Sequence, residues 1–175
     1  ELRSVTEKLW SDEALIISGK SEEAVLADLG ILPDIQVDEE PAIDFIHRRV
    51  GETEIYFIRN LRDEKITQNV HFRVNNKIPE KWHPDSGKIV NIQCYQASGT
   101  GTSIPLSFES REAYFVVFRE GEKKHHVTAV NSEQEMDKSK LIAFDNGTYG
   151  LTLNSGNRKV LEISDIPHVL LLNGP

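Results

Sequence analysis

The sequence of residues 43–60 constrains the fold most, because it has the pattern of a β-hairpin. Two segments rich in Ile, Phe, Tyr and Val flank residues 50–53, where Gly51 can adopt the positive φ that a tight connection needs. Strand alternation places His47 and Arg49 on one face and Arg48 on the other. Both faces therefore combine apolar and charged side chains, and we expect the hairpin to meet two surfaces.

Short β patterns continue after the hairpin at intervals of roughly 8–12 residues, separated by turns rich in Gly and Asn. Residues 66–74 alternate most regularly, and residues 113–118 are nearly all apolar, which is typical of a central strand. Residues 146–147 and 155–157 have the composition of hairpin turns. The pattern predicts a mainly β protein, an antiparallel β-sandwich over residues 41–175. Further strands are expected at residues 88–95, 102–108, 125–130, 141–144, 148–153 and 159–163.

The region before the hairpin has helical patterns instead. Residues 2–10 carry apolar side chains at helical spacing, and residues 15–17 resemble a short buried strand. Ser21 is a suitable N-cap for a second helix that ends near Gly30. We interpret residues 1–40 as a helix-strand-helix remnant of an α/β domain followed by an acidic linker at residues 38–41. A solvated loop is a better account of that linker than a calcium site.

Composition excludes several kinds of partner. The formal net charge of −8 disfavours nucleic acid and anionic membrane surfaces, whereas a neutral carbohydrate is compatible. No apolar segment approaches the roughly 20 residues of a membrane span. The single cysteine, Cys94, excludes an internal disulfide. We predict no bound metal and no cofactor.

The sequence contains a set of motifs: Ile46–Arg48, Gly51, Glu54–Phe57, Asn60, Phe72–Val74, Pro79, Glu80, Trp82, Pro84, Gly87, Pro105, Leu106 and Phe115–Phe118. These motifs resemble the C-terminal part of glycoside hydrolase family 106, which contains large bacterial α-L-rhamnosidases. The resemblance implies that the catalytic carboxylates belong to an upstream barrel domain and that this chain performs no catalysis. It also implies a periplasmic or extracellular location, with the catalytic and other β-domains of the same polypeptide as partners. Because the sequence begins at Glu1 without a methionine, we expect a piece of a longer polypeptide.

Four residues are candidates for a domain interface or a ligand contact. His47, Arg48 and Arg49 offer imidazole and guanidinium groups that could hold a sugar hydroxyl, a carboxylate or the catalytic domain. We favour a structural ion-pair cluster for them, with Asp44, Glu52 and Glu54 as partners. Trp82 could form a stacking platform for a sugar, but a core position is favoured.

These observations give one leading hypothesis and two alternatives. The leading hypothesis is a non-catalytic accessory β-sandwich of a large glycoside hydrolase that acts on plant-type polysaccharides. The first alternative is a carbohydrate-binding module. The second is a domain whose edge at His47 and Arg48 completes the active site of the parent enzyme.

Overall fold

The computed structural model of the protein describes residues 2–11, 17–38, 40, 42–121, 125–133, 136–138 and 141–166. The chain forms two compact units, residues 1–33 and residues 34–175. The sequence placed a domain boundary after residue 40, and that boundary stays a prediction. The strand Ile35–Val37 belongs to the second unit, although the sequence interpretation includes these residues in the N-terminal segment 1–40.

The first unit contains the two predicted helices, α1 (Leu2–Ser11) and α2 (Glu22–Asp28). The side chain of Ser21 accepts a hydrogen bond from the backbone N–H of Ala24 at 3.3 Å, which confirms the predicted N-cap. Gly30, at a φ of 69°, follows the C-terminal end. The predicted strand at residues 15–17 lies mainly outside the described residues, and Ile17 is in no strand.

The second unit is the predicted antiparallel β-sandwich. One sheet has four strands in the order β1-β4-β8-β7, and the other has five strands in the order β2-β3-β9-β5-β6. The strands are β1 (Ile35–Val37), β2 (Ile43–Val50), β3 (Thr53–Asn60), β4 (Ile66–Phe72), β5 (Ile78–Trp82), β6 (Ile89–Asn91), β7 (Gln96–Ala97), β8 (Thr102–Phe108) and β9 (Ala113–Arg119).

The core lies between these two sheets and is built from alternate residues of their central strands. Aromatic rings connect the layers: Phe72 of β4 lies 5.0 Å from Tyr56 of β3 and 5.1 Å from Phe118 of β9, between ring centroids. Phe108 stacks on Tyr114 at 4.4 Å. All five side chains are almost completely buried. This layer fixes which residues of each strand face outward.

Two smaller sheets follow in the chain. β10 (Val127–Asn131), β13 (Gly147–Leu153) and β14 (Arg158–Ile163) form a three-stranded sheet, and β11 (Met136–Asp137) pairs with β12 (Ile142–Ala143). A parallel bridge joins Cys94 to Val127. Burial raises the pKa of the Cys94 thiol to about 11, so this side chain behaves as a small apolar residue.

The predicted hairpin at residues 43–60 is confirmed. All eight residues of β2 pair with β3, from Ile43 with Asn60 to Val50 with Thr53, and Gly51 has a φ of 58° in the turn. The hairpin at residues 155–157 is also confirmed, since β13 pairs with β14 and Gly156 has a φ of 82°.

Other predicted elements differ from the structure. The prediction of a hairpin turn at residues 146–147 is wrong, because β12 pairs with β11 and not with β13. Residues 88–95 contain a strand only at Ile89–Asn91. Strand β5 was not predicted, because it contains Pro79, which has no backbone N–H to donate to a neighbouring strand. The Pro79 carbonyl nevertheless accepts a hydrogen bond from the Ile92 backbone N–H at 3.1 Å.

Neither α1 nor α2, the helices of the described part of the chain, has the length and apolar composition of a membrane-spanning segment.

Candidate functional site

His47 is the centre of a polar cluster at the edge of the sandwich. Strand β2 directs its imidazole toward the interior side, where it stacks on the Tyr56 ring with 4.1 Å between centroids. Nδ1 lies 2.9 Å from a carboxylate oxygen of Asp34, and Nε2 lies 2.9 Å from a carboxylate oxygen of Glu54. Both ring nitrogens are therefore occupied, and the ring is fixed in position.

Glu54 and Asp34 extend the cluster to further cations. Glu54 receives the Lys77 ammonium at 3.3 Å and the Arg49 Nε at 3.3 Å. Asp34 accepts a hydrogen bond from the Arg73 guanidinium. Because Arg73 follows the four-stranded sheet and His47 belongs to the five-stranded sheet, Asp34 links the two sheets at one edge.

The electrostatic balance of the cluster favours ionised carboxylates. Burial favours the neutral form of Glu54, but hydrogen bonds from His47 and Lys77 and the positive charges of Lys77 and Arg49 outweigh it. The pKa of Glu54 is held below its ordinary 4.5. For Asp34, burial is similarly outweighed by hydrogen bonds from His47 and Arg73, and the pKa of this carboxyl lies below 3.8.

The structure separates the three neighbouring candidates of β2. Arg49 shares the face of His47 and also contacts Glu52 at 3.1 Å. Arg48 projects from the opposite face and forms no ion pair with another described residue. Asp44, predicted as a partner of this group, instead pairs with Arg59 at 3.0 Å.

Trp82 lies on the outer face of the five-stranded sheet and not in the core, where the sequence interpretation placed it. Its neighbour Lys81 points inward instead, with its ammonium 3.4 Å from the centre of the Tyr114 ring. The indole N–H of Trp82 donates to Glu80 at 2.8 Å, and Arg119 lies over the ring at 5.5 Å. The core position that the sequence interpretation favoured for Trp82 is therefore wrong, because strand β5 directs Lys81 inward and Trp82 outward.

A cleft of about 300 Å³ opens beside β5 and β6. It is polar on one side, where Arg119 binds Glu80 with two N–H donors at 2.8 Å, and His126 stacks on Tyr95 at 3.8 Å within its wall. Its polar lining residues include Glu80, Asn91, Gln93, Arg119, Glu120 and His125.

Sequence reasoning missed several members of these sites. Asp34 and Lys77 lie outside the hairpin and join the His47 cluster only through tertiary contacts, so local patterns carry no signal for them. Lys81 is almost completely buried and lies 3.6 Å from Glu112. An alternation that runs through Pro79 would have placed Lys81 on the inward face of a strand.

Three described carboxyl groups have pKa values shifted in the direction opposite to that of a general acid. Glycoside hydrolysis usually needs a carboxyl with a raised pKa as general acid. In contrast, the pKa values of Asp34, Glu54 and Asp63 are all lowered, and for Asp63 the cause is a hydrogen bond from Arg111. Among the described side chains, no group of three or more His, Cys, Asp and Glu residues is arranged to hold a metal ion.

Comparison with known proteins identifies larger relatives. A protein of Formosa agariphila named "Putative beta-glucuronidase" is 34% identical over 174 residues, which covers 94% of this chain and 14% of that protein. The solved structure of a rhamnosidase from Novosphingobium sp. PP1Y matches with a TM-score of 0.60 and 31% identity over 73% of this chain. The chain thus spans only 14% of the length of each relative.

The family comparison agrees with these similarities and with the resemblance seen in the sequence motifs. The family model described as alpha-L-rhamnosidase, glycoside hydrolase family 106, matches residues 1–97, more than half of the chain. The chain therefore belongs to glycoside hydrolase family 106.

Proposed function

We propose that this chain is a non-catalytic accessory β-sandwich of a large glycoside hydrolase and that it supports the catalytic domain of that enzyme. The proposal depends mainly on the length of the chain relative to its relatives. The chain corresponds to 14% of each of two relatives that are named as glycosidases. In this proposal residues 1–40 are the end of the preceding α/β domain, and residues 41–175 are the accessory domain.

The chemistry of the described residues supports the non-catalytic role. The carboxylates of Asp34 and Glu54 are engaged by four basic side chains, His47, Arg49, Arg73 and Lys77. Such a network holds carboxylates ionised and fixed, which suits structural support better than proton transfer. The parent enzyme would act on glycosidic bonds of plant-type polysaccharides, in the periplasm or outside the cell.

Activity assays of two proteins test this proposal. The 175-residue chain and the full-length parent would be incubated with a chromogenic aryl α-L-rhamnoside and with an aryl β-glucuronide, the sugars in the relatives' names. We expect hydrolysis of one of them by the parent and none by the chain. Turnover by the purified chain, abolished by substitution of one of its own carboxylates, would contradict the non-catalytic role.

The cleft beside β6 favours a second candidate, a carbohydrate-binding module. Its amide and guanidinium groups from Asn91, Gln93 and Arg119 suit sugar hydroxyl groups, and its volume of about 300 Å³ is sufficient for a small saccharide. A glycan array followed by calorimetry tests this function. Binding that Gln93→Ala weakens and that Gln96→Ala, an exposed glutamine outside the cleft, leaves unchanged would favour it.

A third role concerns the edge formed by His47 and Arg48, which could complete the active site of the parent. Arg48 favours it, since this arginine is exposed and has no ion-pair partner among the described residues. In the full-length enzyme, Arg48→Ala and His47→Ala would then lower kcat more than they lower the melting temperature. His71→Ala, on the opposite sheet, is the matched control. A loss of melting temperature without a loss of kcat would assign the edge to stability alone.

A further inference from the structure

The outer face of the five-stranded sheet carries a row of apolar side chains that crosses every strand. Pairing registers place Ile46 beside Phe57, Phe57 beside Phe115, Phe115 beside Trp82, and Trp82 beside Ile89. Each strand contributes one residue, so the row spans roughly 19 Å, four strand spacings of about 4.8 Å. We call these five residues the apolar row.

The apolar row is open along its length. Ile46 and Ile89, at its two ends, are 57% and 51% exposed, and the three aromatic side chains between them are half-buried. The Phe57 and Phe115 rings contact each other at 5.0 Å between centroids. A contiguous apolar strip of this kind is uncommon on a surface that faces only water.

Four charged side chains beside the row pair with one another, whereas Arg48, which shares this face with Ile46, has no ion-pair partner among the described residues. Asp44 binds Arg59 at 3.0 Å on one side, and Glu80 accepts three hydrogen bonds from Arg119 on the other. A partner therefore needs to supply mainly apolar surface, with polar groups only near Arg48. Carbohydrate suits this face poorly, because sugar hydroxyls require free hydrogen-bonding groups around an aromatic platform, and Arg119 already covers the Trp82 ring.

We infer that the apolar row is the surface on which this β-sandwich docks onto an apolar face of another domain of the same polypeptide. The inference rests on the proposed function, since it takes the neighbouring domain from the larger proteins of which the chain spans 14%. A face of five strands has the dimensions of interfaces between domains, which bury about 600–1,500 Å².

Thiol accessibility in the full-length protein tests the inference. Ile89→Cys places a thiol in the apolar row, and Thr67→Cys places one at an exposed strand position on the outer face of the other sheet. Both proteins would be labelled with a maleimide under native conditions, and the extent at each site would be measured by peptide mass spectrometry. We expect position 89 to react about 10-fold or more slowly than position 67 in the parent, and at a similar rate in the 175-residue chain.

Each alternative has its own outcome. Equal labelling of the two positions in the parent overturns the inference. Protection of position 89 that requires an added rhamnose or glucuronate oligosaccharide would assign the row to sugar, and protection that increases with protein concentration would assign it to a second copy. If Ile89→Cys fails to fold by circular dichroism, Ile46→Cys tests the other end of the row. Failure of the proposed function would appear separately, as hydrolysis by the chain alone.

Discussion

The outer faces of the two main sheets differ in chemistry although they enclose the same core. On the four-stranded sheet, polar side chains bind one another: Thr67 contacts Ser107 at 3.1 Å, His71 contacts Ser103 at 3.0 Å, and Asn69 donates to Asp38 at 2.9 Å. On the five-stranded sheet, the apolar row lies among the outward-facing side chains instead. A sheet with a polar face is complete in water, whereas a sheet with an apolar face needs a further layer.

The largest effect should come from the layer that both sheets share. Phe72→Ala removes a fully buried ring that contacts Tyr56 and Phe118 of the opposite sheet. We expect a loss of about 3–5 kcal/mol in the free energy of unfolding, because a cavity is left in the core. Urea denaturation followed by circular dichroism measures it. A loss below about 1 kcal/mol would show that the two faces do not depend on one core.

The turn before β8 should give the next largest effect, confined to the polar-faced sheet. A Cβ at Gly101 would lie 2.1 Å from the Phe72 carbonyl oxygen, whereas one at Gly99 would meet nothing within 4 Å. We expect Gly101→Ala to destabilise by about 2–3 kcal/mol, since backbone must shift. Gly99→Ala is the matched control, and equal melting temperatures for the two variants would contradict the steric argument.

The charged edge that links the sheets should contribute less. Glu54→Gln removes the carboxylate that His47, Arg49 and Lys77 share. We expect a cost of about 1–2 kcal/mol, typical of charge-assisted hydrogen bonds that are partly buried. Glu52→Gln is the control, because Glu52 contacts only Arg49 in the described structure and is largely exposed. Similar denaturation midpoints for both variants would show that the cluster around His47 does not contribute to the stability of the fold.

The same edge predicts a pH dependence. The pKa values of Asp34 and Glu54 are lowered on folding, so the unfolded chain binds more protons in acid. The stabilisation is present above the ordinary values of 3.8 and 4.5 and is lost as the pH falls through the folded pKa values. Denaturation midpoints between pH 3 and 7 measure this slope. Glu54→Gln should flatten it, and a slope unchanged from wild type would contradict the assignment.

The smallest loss of stability in the 175-residue chain is expected when a charge is placed on the outer face of either main sheet. Ile89→Lys and Thr67→Lys both place a charge on an exposed strand position, so each should change stability by less than about 0.5 kcal/mol in the 175-residue chain. In the full-length parent, Ile89→Lys should cost more than Thr67→Lys, as measured by thermal unfolding. Equal shifts in the parent would make the two faces equivalent.

The sequence predicted local β patterns well and tertiary relations poorly. The hairpin of β2 and β3 and the alternating strand β4 are visible because side chains of period two must face a core. Strand β5 is not, since Pro79 usually signals an edge or a turn. The His47 cluster was predicted in part: His47, Arg49, Glu52 and Glu54 are neighbours along the hairpin.

The remaining members of that cluster, Asp34 and Lys77, approach it only when the sheets pack. The register of β5 against β9 decides which residue lies beside Trp82, namely Phe115. Long-range packing alone brings Asp34 and Lys77 to the cluster, whereas alternation through Pro79 would have placed Trp82 on the outer face. The apolar outer face is also a tertiary property, because it joins one residue from each of five strands.

The central position of β9 has a consequence for how the chain acquires its structure during synthesis. β9 pairs with both β3 and β5, and β8 is the partner of both β4 and β7. The family match ends at residue 97, before either strand begins. A ribosome that has released only the matched segment has produced two incomplete sheets with unpaired strands. The family-model match therefore ends before the two main sheets are complete, and we expect both sheets to complete only after residue 119 has left the exit tunnel.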